Sequence, residues 1–134
     1  MPQILIVEDD DELRTVLKEV LEQEGYGVCE ASDGRAAMEM QRLTGADLVI
    51  TDLIMPEMDG IETIMALRKG FPWVKIIAMS GGHRAGPRAF LNLAKALGAH
   101  RTLHKPFVFQ DMLEAVDELL EETSWDSPKG RVLS

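Results

Sequence analysis

The sequence predicts an α/β protein built on a doubly wound, five-stranded parallel sheet. Short apolar runs alternate along the chain with longer segments in which apolar residues recur every three or four positions, and this βα alternation occurs five times. Alternation of this kind is typical of a parallel sheet with helices on both faces. Because five strands suit an open sheet, we expect a (βα)5 fold with the flavodoxin-like strand order 2-1-3-4-5.

Three of the five strands are expected in the interior of the sheet. Residues 4–7, 48–51 and 76–79 form short apolar runs bounded by charged residues, Gly or Pro, which indicates strands that are buried on both faces. Two weaker candidates, residues 28–31 and 102–104, contain more polar residues and are expected at the edges of the sheet.

Five amphipathic helices are predicted between and after these strands. The first has an apolar stripe at helical spacing, formed by Leu13, Val16, Leu17, Val20 and Leu21. Gly25 is expected at the C-terminal end of this helix, because glycine readily adopts the left-handed conformation that commonly ends a helix. Pro87 near the first turn and Gly98 at the end are expected to bound the fourth helix.

Length and composition favour a single domain over residues 1–121. A chain of 134 residues can bury a sizeable core without disulfides or a structural metal. From residue 122 the helical periodicity stops and Ser, Pro and Gly follow, so residues 122–134 are expected to form a flexible C-terminal tail.

The net charge and the single cysteine restrict the environment and the partners of the protein. The net charge is −9, from 14 basic and 23 acidic residues, which disfavours binding to nucleic acid or to an anionic membrane surface. Cys29 is the one cysteine, and no apolar stretch approaches the ~20 residues of a membrane span. We therefore expect a cytoplasmic protein with no nucleic-acid or membrane partner.

Polar side chains collect at the carboxyl ends of four predicted strands. The first strand runs into Glu8 and Asp9, the third into Asp52, the fourth into Ser80 and the fifth into Lys105. In the expected strand order these ends surround the crevice where open α/β sheets bind ligands. Carboxylates packed together require a cation, and oxygen ligands without His or Cys favour Mg²⁺. Asp52 beside Mg²⁺ and Lys105 would be well placed to attack phosphorus.

The segments around these residues resemble the response-regulator receiver domains of two-component signal transduction. The resemblance covers roughly residues 2–121, begins with the acidic segment after the first strand, and includes Ser80. The family pattern D-x-x-M-P-x-M-D-G is closely matched by Asp52-Leu53-Ile54-Met55-Pro56-Glu57-Met58-Asp59-Gly60, and the later Lys-Pro-Phe by Lys105-Pro106-Phe107. We expect the stand-alone, chemotaxis-regulator-like type of receiver.

The resemblance implies a function for the residues that would handle a phosphoryl group. Asp52 would accept that group from a sensor histidine kinase or a histidine phosphotransfer protein, Ser80 would bond one phosphoryl oxygen and Lys105 another. The Lys105–Pro106 peptide bond is expected to be cis. By this resemblance the chain is a single-domain response regulator that signals to a downstream protein by conformational change. It is not an enzyme beyond catalysing its own phosphorylation and dephosphorylation.

The resemblance also implies a Mg²⁺ site as the cofactor site of the protein. Asp9 and Asp52 would hold the ion directly, Glu8 would act through water, and the backbone carbonyl of Ile54 would be a further ligand.

One position departs from the family. Many members have an aromatic residue three positions before the lysine, which rotates inward on activation, and this chain has Thr102 there. A small side chain cannot make the same movement. We therefore expect the signal to depend more on the loop formed by residues 81–87, where Gly81 and Gly82 relax the limits on backbone conformation.

Three other functions fit the residues less well. A flavodoxin-like cofactor binder would need a Gly-rich or Ser/Thr-rich phosphate loop where this chain has four acidic residues. A metal-dependent phosphohydrolase would usually have a second acid two residues after its nucleophile, where this chain has Ile54, and a substrate cap. A phosphate-independent interaction module would have no need of all five polar residues at the strand ends.

Overall fold

Five strands alternate with five helices in the computed structural model of the chain, which describes residues 1–53, 60–81 and 87–126. The strands are β1 (Gln3–Val7), β2 (Gly27–Ala31), β3 (Leu48–Asp52), β4 (Lys75–Ser80) and β5 (Arg101–His104). The helices are α1 (Asp11–Gln23), α2 (Gly34–Thr44), α3 (Gly60–Gly70), α4 (Pro87–Leu97) and α5 (Phe109–Asp126).

The five strands are parallel and lie in the order β2-β1-β3-β4-β5, which confirms the predicted fold class. β1, β3 and β4 occupy the interior of the sheet, and β3 is buried at every position. β2 and β5 form the two edges, where most residues are only partly buried. The apolar runs of the central strands lack polar alternation because helices cover both faces of the sheet.

The sheet divides the hydrophobic core into two layers. Leu5 and Val7 of β1 lie in the layer that also contains Val49 and is closed by α2, α3 and α4. Ile4 and Ile6 of the same strand lie in the opposite layer, which is closed by α1 and α5. Because successive strand residues point to opposite faces, each central strand supplies both layers.

Both ends of α1 have capping groups, and Gly25 lies at the end where the sequence predicts it. Asp10 is the N-cap, and its carboxylate accepts hydrogen bonds from the backbone N–H groups of Glu12 and Leu13 at 3.0 and 3.2 Å. Gly25 lies just beyond the other end with a φ of 93°, and Gly98 has the same role after α4 with a φ of 126°. The α1 cap places the start of the helix directly after the acidic residues that follow β1.

The last helix is longer than the sequence analysis indicated. α5 continues to Asp126, whereas we expected the flexible tail to begin at residue 122. Residues 121–126 contain neither Gly nor Pro, so no helix-breaking residue interrupts this stretch. Residues 127–134 lie outside the described residues. Within the described ranges, no helix is both long enough and apolar enough to cross a membrane.

Candidate functional site

The carboxyl ends of β1 and β3 bring three acidic side chains together. The two strands are neighbours, with Val7 paired to Thr51, so the residues that follow them lie side by side. Carboxylate oxygens of Glu8, Asp9 and Asp52 lie within 4.8 Å of one another. Glu8 and Asp52 are buried, with exposed fractions of 1% and 7%, whereas Asp9 is exposed to solvent. The carboxylates of Glu8 and Asp52 thus lie where water can offset little of their mutual repulsion.

Both carboxylate oxygens of Glu8 are hydrogen-bonded. Oε1 accepts a 2.6 Å hydrogen bond from Nζ of Lys105, and Oε2 accepts one of 3.1 Å from the backbone N–H of Asp10. Burial raises the pKa of Glu8, and the charge of Asp52 raises it further. The bonds from Lys105 and Asp10 act in the opposite direction, but they do not cancel the effect of burial.

Asp52 is held in one orientation by its neighbours. Its Oδ1 accepts a 2.9 Å hydrogen bond from the backbone N–H of Leu53, and its Oδ2 accepts one of 3.2 Å from Nζ of Lys105. Gly60 packs directly on this segment and donates its N–H to the carbonyl oxygen of Leu53 at 3.0 Å. A Cβ atom at Gly60 would lie 2.1 Å from the carbonyl oxygen of Asp52, so a side chain at this position would displace the backbone of Asp52.

Lys105 reaches the acids from the end of β5. Its backbone N–H donates to the carbonyl oxygen of Ser80 at 2.8 Å, and the Lys105–Pro106 bond is cis, as the resemblance implied. Burial lowers the pKa of the ammonium group, but the hydrogen bond to Glu8 and the charges of Asp52 and Glu8 outweigh burial and raise the pKa overall. Lys105 therefore remains a fixed positive charge between two buried carboxylates.

Ser80 contributes a buried hydroxyl to the site. The residue ends β4 and has no exposed surface, and no hydrogen-bond partner for its Oγ is found in the described part of the chain. Leaving a buried hydroxyl unsatisfied costs about 1–3 kcal/mol. Such a group is expected where an oxygen-rich ligand completes the site.

The donor set fits the divalent cation that the sequence indicated. Three carboxylates meet without His or Cys, which suits a hard cation such as Mg²⁺, and the orphaned Ser80 hydroxyl suits an anion bound beside it. The structure therefore brings together Glu8, Asp9, Asp52, Ser80 and Lys105. Ile54, the fourth metal ligand that we expected, lies outside the described residues.

Arg14 is a part of the site's support that the sequence analysis did not single out. It lies on the polar side of α1, and its Nη1 donates a 2.7 Å hydrogen bond to the backbone carbonyl oxygen of Glu8. The available signal was a basic residue one helical turn after the N-cap residue Asp10. That signal is weak, because basic residues are common on the solvent-facing side of a helix.

Comparison with known proteins agrees with this geometry. The fold and the site define a flavodoxin-like α/β protein with acidic, hydroxyl and ammonium groups at the topological switch point of its sheet. The chain belongs to the response regulator receiver domain family, whose sequence model matches residues 4–117. Receiver domains act in two-component signalling, take phosphoryl groups from kinases and are in general signal transducers rather than enzymes.

Individual relatives differ in how much of their length the chain covers. It is 36% identical over 118 residues to the chemotaxis protein CheY of Thermotoga maritima, covering 87% of this chain and 96% of that protein. It is 34% identical over 125 residues to the transcriptional regulatory protein CpxR of Escherichia coli K12, covering 93% of this chain and 52% of CpxR. The chain thus spans about half the length of CpxR.

A solved structure also aligns over most of the chain. The response regulator protein TrrA of Thermotoga maritima, crystallised in complex with Mg(2+)-BeF, superposes with a TM-score of 0.78 at 33% identity. The alignment covers 89% of this chain and 99% of TrrA.

Proposed function

We propose that this chain is a response regulator that accepts a phosphoryl group on Asp52 in a Mg²⁺-dependent reaction and signals by conformational change to a protein partner. The donor in this proposal is a histidine kinase or a histidine phosphotransfer protein. The observation that carries the proposal is the position of Lys105, whose Nζ lies 3.2 Å from Asp52 and 2.6 Å from Glu8. The backbone N–H of Lys105 also donates to the carbonyl oxygen of Ser80, the residue whose buried hydroxyl has no partner in the described part of the chain.

The chemistry begins with Asp52 as the nucleophile. A carboxylate oxygen of Asp52 forms a bond to phosphorus while the bond between phosphorus and the donor histidine nitrogen breaks, and the electron pair returns to the imidazole. The hydrogen bond from the N–H of Leu53 orients the carboxylate, so little reorganisation precedes the attack. The positive charge of Lys105 is available to a phosphoryl oxygen, because its ammonium group has three N–H donors.

The acidic residues would hold the metal ion that such a reaction needs. Glu8, Asp9 and Asp52 are the candidate ligands by their mutual distances, and the exposed side of the site is at Asp9. When bound, Mg²⁺ neutralises negative charge on the phosphoryl oxygens. The Mg(2+)-BeF complex of TrrA supports the assignment of this ion.

Ser80 would convert the chemical event into a change of shape. Its buried Oγ can bond a phosphoryl oxygen on Asp52, and this bond would remove the cost of an unsatisfied hydroxyl. Ser80 is followed by the segment formed by residues 81–87, which we infer to relay the change, since Thr102 replaces the usual aromatic residue. Residues 82–86 lie outside the described residues.

The surroundings of the reaction are part of the same proposal. We assign residues 1–121 to the receiver domain, whose last helix α5 continues past that bound to Asp126. We assign the reaction to the cytoplasm, where a lone thiol such as that of Cys29 stays reduced. The chain turns over no substrate other than its own acyl phosphate. The partners are proteins rather than nucleic acid or membrane, in keeping with a net charge of −9.

Intact-mass analysis after incubation with a small phosphodonor and Mg²⁺ tests the proposal. The wild-type chain should gain one phosphoryl group, and it should gain none in EDTA. Asp52→Asn should remain unlabelled, whereas the matched control Asp111→Asn, which changes an exposed acid on α5, should be labelled as wild type. Equal labelling of Asp52→Asn and wild type would contradict the proposal.

A further inference from the structure

Arg14 joins three separate parts of the chain around the acidic site. Its Nη1 donates to the backbone carbonyl oxygen of Glu8 at 2.7 Å, its Nη2 to Oδ1 of Asp11 at 2.6 Å, and its Nε to Oε1 of Glu30 at 3.3 Å. Only 17% of the Arg14 side chain is exposed. One guanidinium group therefore links α1, β2 and the turn that follows β1.

The chemistry of arginine suits this position better than that of lysine. A guanidinium group presents five N–H donors in a fixed plane, so it can bond three acceptors in different directions at once. Lys18, one turn further along α1, shows the contrast, because its Nζ pairs with Glu30 at 3.5 Å. Both cations share the Glu30 carboxylate, but the bond to the Glu8 carbonyl is made by Arg14.

The bond to the Glu8 carbonyl bears on the position of Asp9. The carbonyl belongs to the peptide unit that joins Glu8 to Asp9. Because this unit is planar, a bond that fixes the carbonyl oxygen also restricts the position of the Asp9 backbone. Glu8 is held in addition through its N–H, which donates to the Ala31 carbonyl at 3.1 Å. The Asp9 carboxylate is exposed, and no hydrogen bond to it is found among the described residues.

We propose that Arg14 is a positioning residue for the divalent-cation site: it holds the Glu8–Asp9 peptide so that the Asp9 carboxylate stays beside those of Glu8 and Asp52. The inference rests on the Mg²⁺ site of the proposed function. It assigns to Arg14 no contact with the metal or with the phosphoryl group.

Charge alone would have the opposite effect on metal binding. A cation close to a metal site repels the metal, so removing it would tighten binding if Arg14 acted only through its charge. Two carboxylates, those of Asp11 and Glu30, lie against the guanidinium group and offset its charge locally. Positioning and charge therefore predict changes of opposite sign in the affinity for a divalent cation.

Titration of the full chain with Mn²⁺ tests the proposal, with the free ion followed by electron paramagnetic resonance and Mg²⁺ used as competitor. Arg14→Met and Arg14→Lys should both bind Mn²⁺ about tenfold more weakly than wild type, the usual effect of losing a group that orients a metal ligand. The matched control Lys18→Met removes a neighbouring cation that shares Glu30, and it should bind as wild type does.

A measurement in the metal-free protein separates positioning from general stability. The carbonyl carbon of Glu8 and the amide of Asp9 should shift in the nuclear magnetic resonance spectra of both Arg14 variants and keep their wild-type positions in Lys18→Met. If Arg14→Met does not fold, Glu30→Gln serves instead. This substitution keeps Arg14 but weakens the hydrogen bond that orients its guanidinium group. It should therefore also lower the affinity for Mn²⁺.

Three results would overturn the inference: unchanged or tighter Mn²⁺ binding by the folded Arg14 variants, unchanged resonances of Glu8 and Asp9 in those variants, or a wild-type chain that binds no divalent cation. The titration uses no phosphodonor. A failure of Asp52 to become phosphorylated would therefore leave this inference standing, and a negative result for Arg14 would leave the labelling of Asp52 unaffected.

Discussion

Lys105 donates a 2.6 Å hydrogen bond to Glu8, although the two residues lie 97 positions apart in the chain. The same ammonium group lies 3.2 Å from Asp52, so its shorter bond is to the acid that the proposed function assigns to the metal rather than to the phosphoacceptor. Without a metal ion, Lys105 thus acts as the cation that allows two buried carboxylates to coexist.

The first prediction concerns the loss of this cation. Lys105→Met should lower the free energy of unfolding by about 1–3 kcal/mol in EDTA, because Glu8 and Asp52 would lose a charged hydrogen-bond donor while remaining buried. Urea denaturation at neutral pH measures the effect. The exposed residue Lys95 provides the matched control, and Lys95→Met should leave the midpoint in place. Equal midpoints for the two variants would show that the ammonium group does not stabilise the acids.

The second prediction concerns pH. The pKa of Glu8 is raised above 4.5, mainly by burial, so between 4.5 and its higher value the folded protein binds more protons than the unfolded chain. The free energy of unfolding should therefore fall as pH rises through this window. Glu8→Gln cannot titrate and should show a smaller fall. Urea denaturation of both proteins in EDTA across this pH range gives the comparison, and identical slopes would contradict it.

The third prediction concerns removal of the divalent cation. Mg²⁺ at roughly ten times its dissociation constant should stabilise the wild-type chain by about 1.4 kcal/mol relative to EDTA, since it binds the folded state. Asp9→Asn should lose most of this response, because one of the three clustered carboxylates is gone. In EDTA the variant should be at least as stable as wild type, because repulsion among the acids is reduced. Thermal unfolding with and without Mg²⁺ measures both effects.

The fourth prediction compares two buried hydroxyl groups at the site. Ser80→Ala removes an unpartnered Oγ and should leave stability unchanged or higher, while slowing phosphorylation of Asp52. Thr51→Val removes an Oγ that donates to the carbonyl oxygen of Asp52 at 3.0 Å, and it should lower stability by about 1 kcal/mol. Denaturant unfolding and the rate of labelling are measured for both variants. A destabilised Ser80→Ala would show that Oγ has a partner in the resting protein.

The fifth prediction uses the two glycines that bound α3. Gly60→Ala would bring a Cβ atom to within 2.1 Å of the Asp52 carbonyl oxygen and 2.4 Å of Cα of Leu53, so it should destabilise the fold by about 1–3 kcal/mol and slow labelling of Asp52. Gly70→Ala has nothing within 4 Å of its Cβ and should be neutral or stabilising. Equal stability and labelling of the two variants would contradict the close packing at Gly60.

Much of the fold was predictable because buried strands and helix faces have recognisable patterns of apolar residues. The continuous apolar run at residues 48–51 indicated a strand covered on both faces, and β3 is buried throughout. Placing Glu8, Asp9 and Asp52 at one edge needed only the strand order, since the carboxyl ends of parallel strands meet. The position of Lys105 followed from the same rule.

Other features depend on side-chain contacts between distant segments, which the local sequence does not predict. The shorter distance from Lys105 to Glu8 than to Asp52 depends on the packing of side chains from three strand ends. The contact between Arg14 and the Glu8 carbonyl depends on how α1 lies against β2. Apolar periodicity stops after residue 121, so the pattern predicts no helix beyond that point, whereas helix-compatible residues continue α5 to Asp126.

The division of the core by the sheet has a consequence for the transmission of signals. Val7 belongs to the core layer that contains residues of α2, α3 and α4, whereas its neighbour Ile6 belongs to the layer that contains residues of α1 and α5. Glu8 and Asp9 follow directly after these two residues. The site therefore lies at the end of the sheet where the two layers of the core meet. We expect that a change of shape at this point can reach both layers of the core, and through them the helices on opposite faces of the sheet.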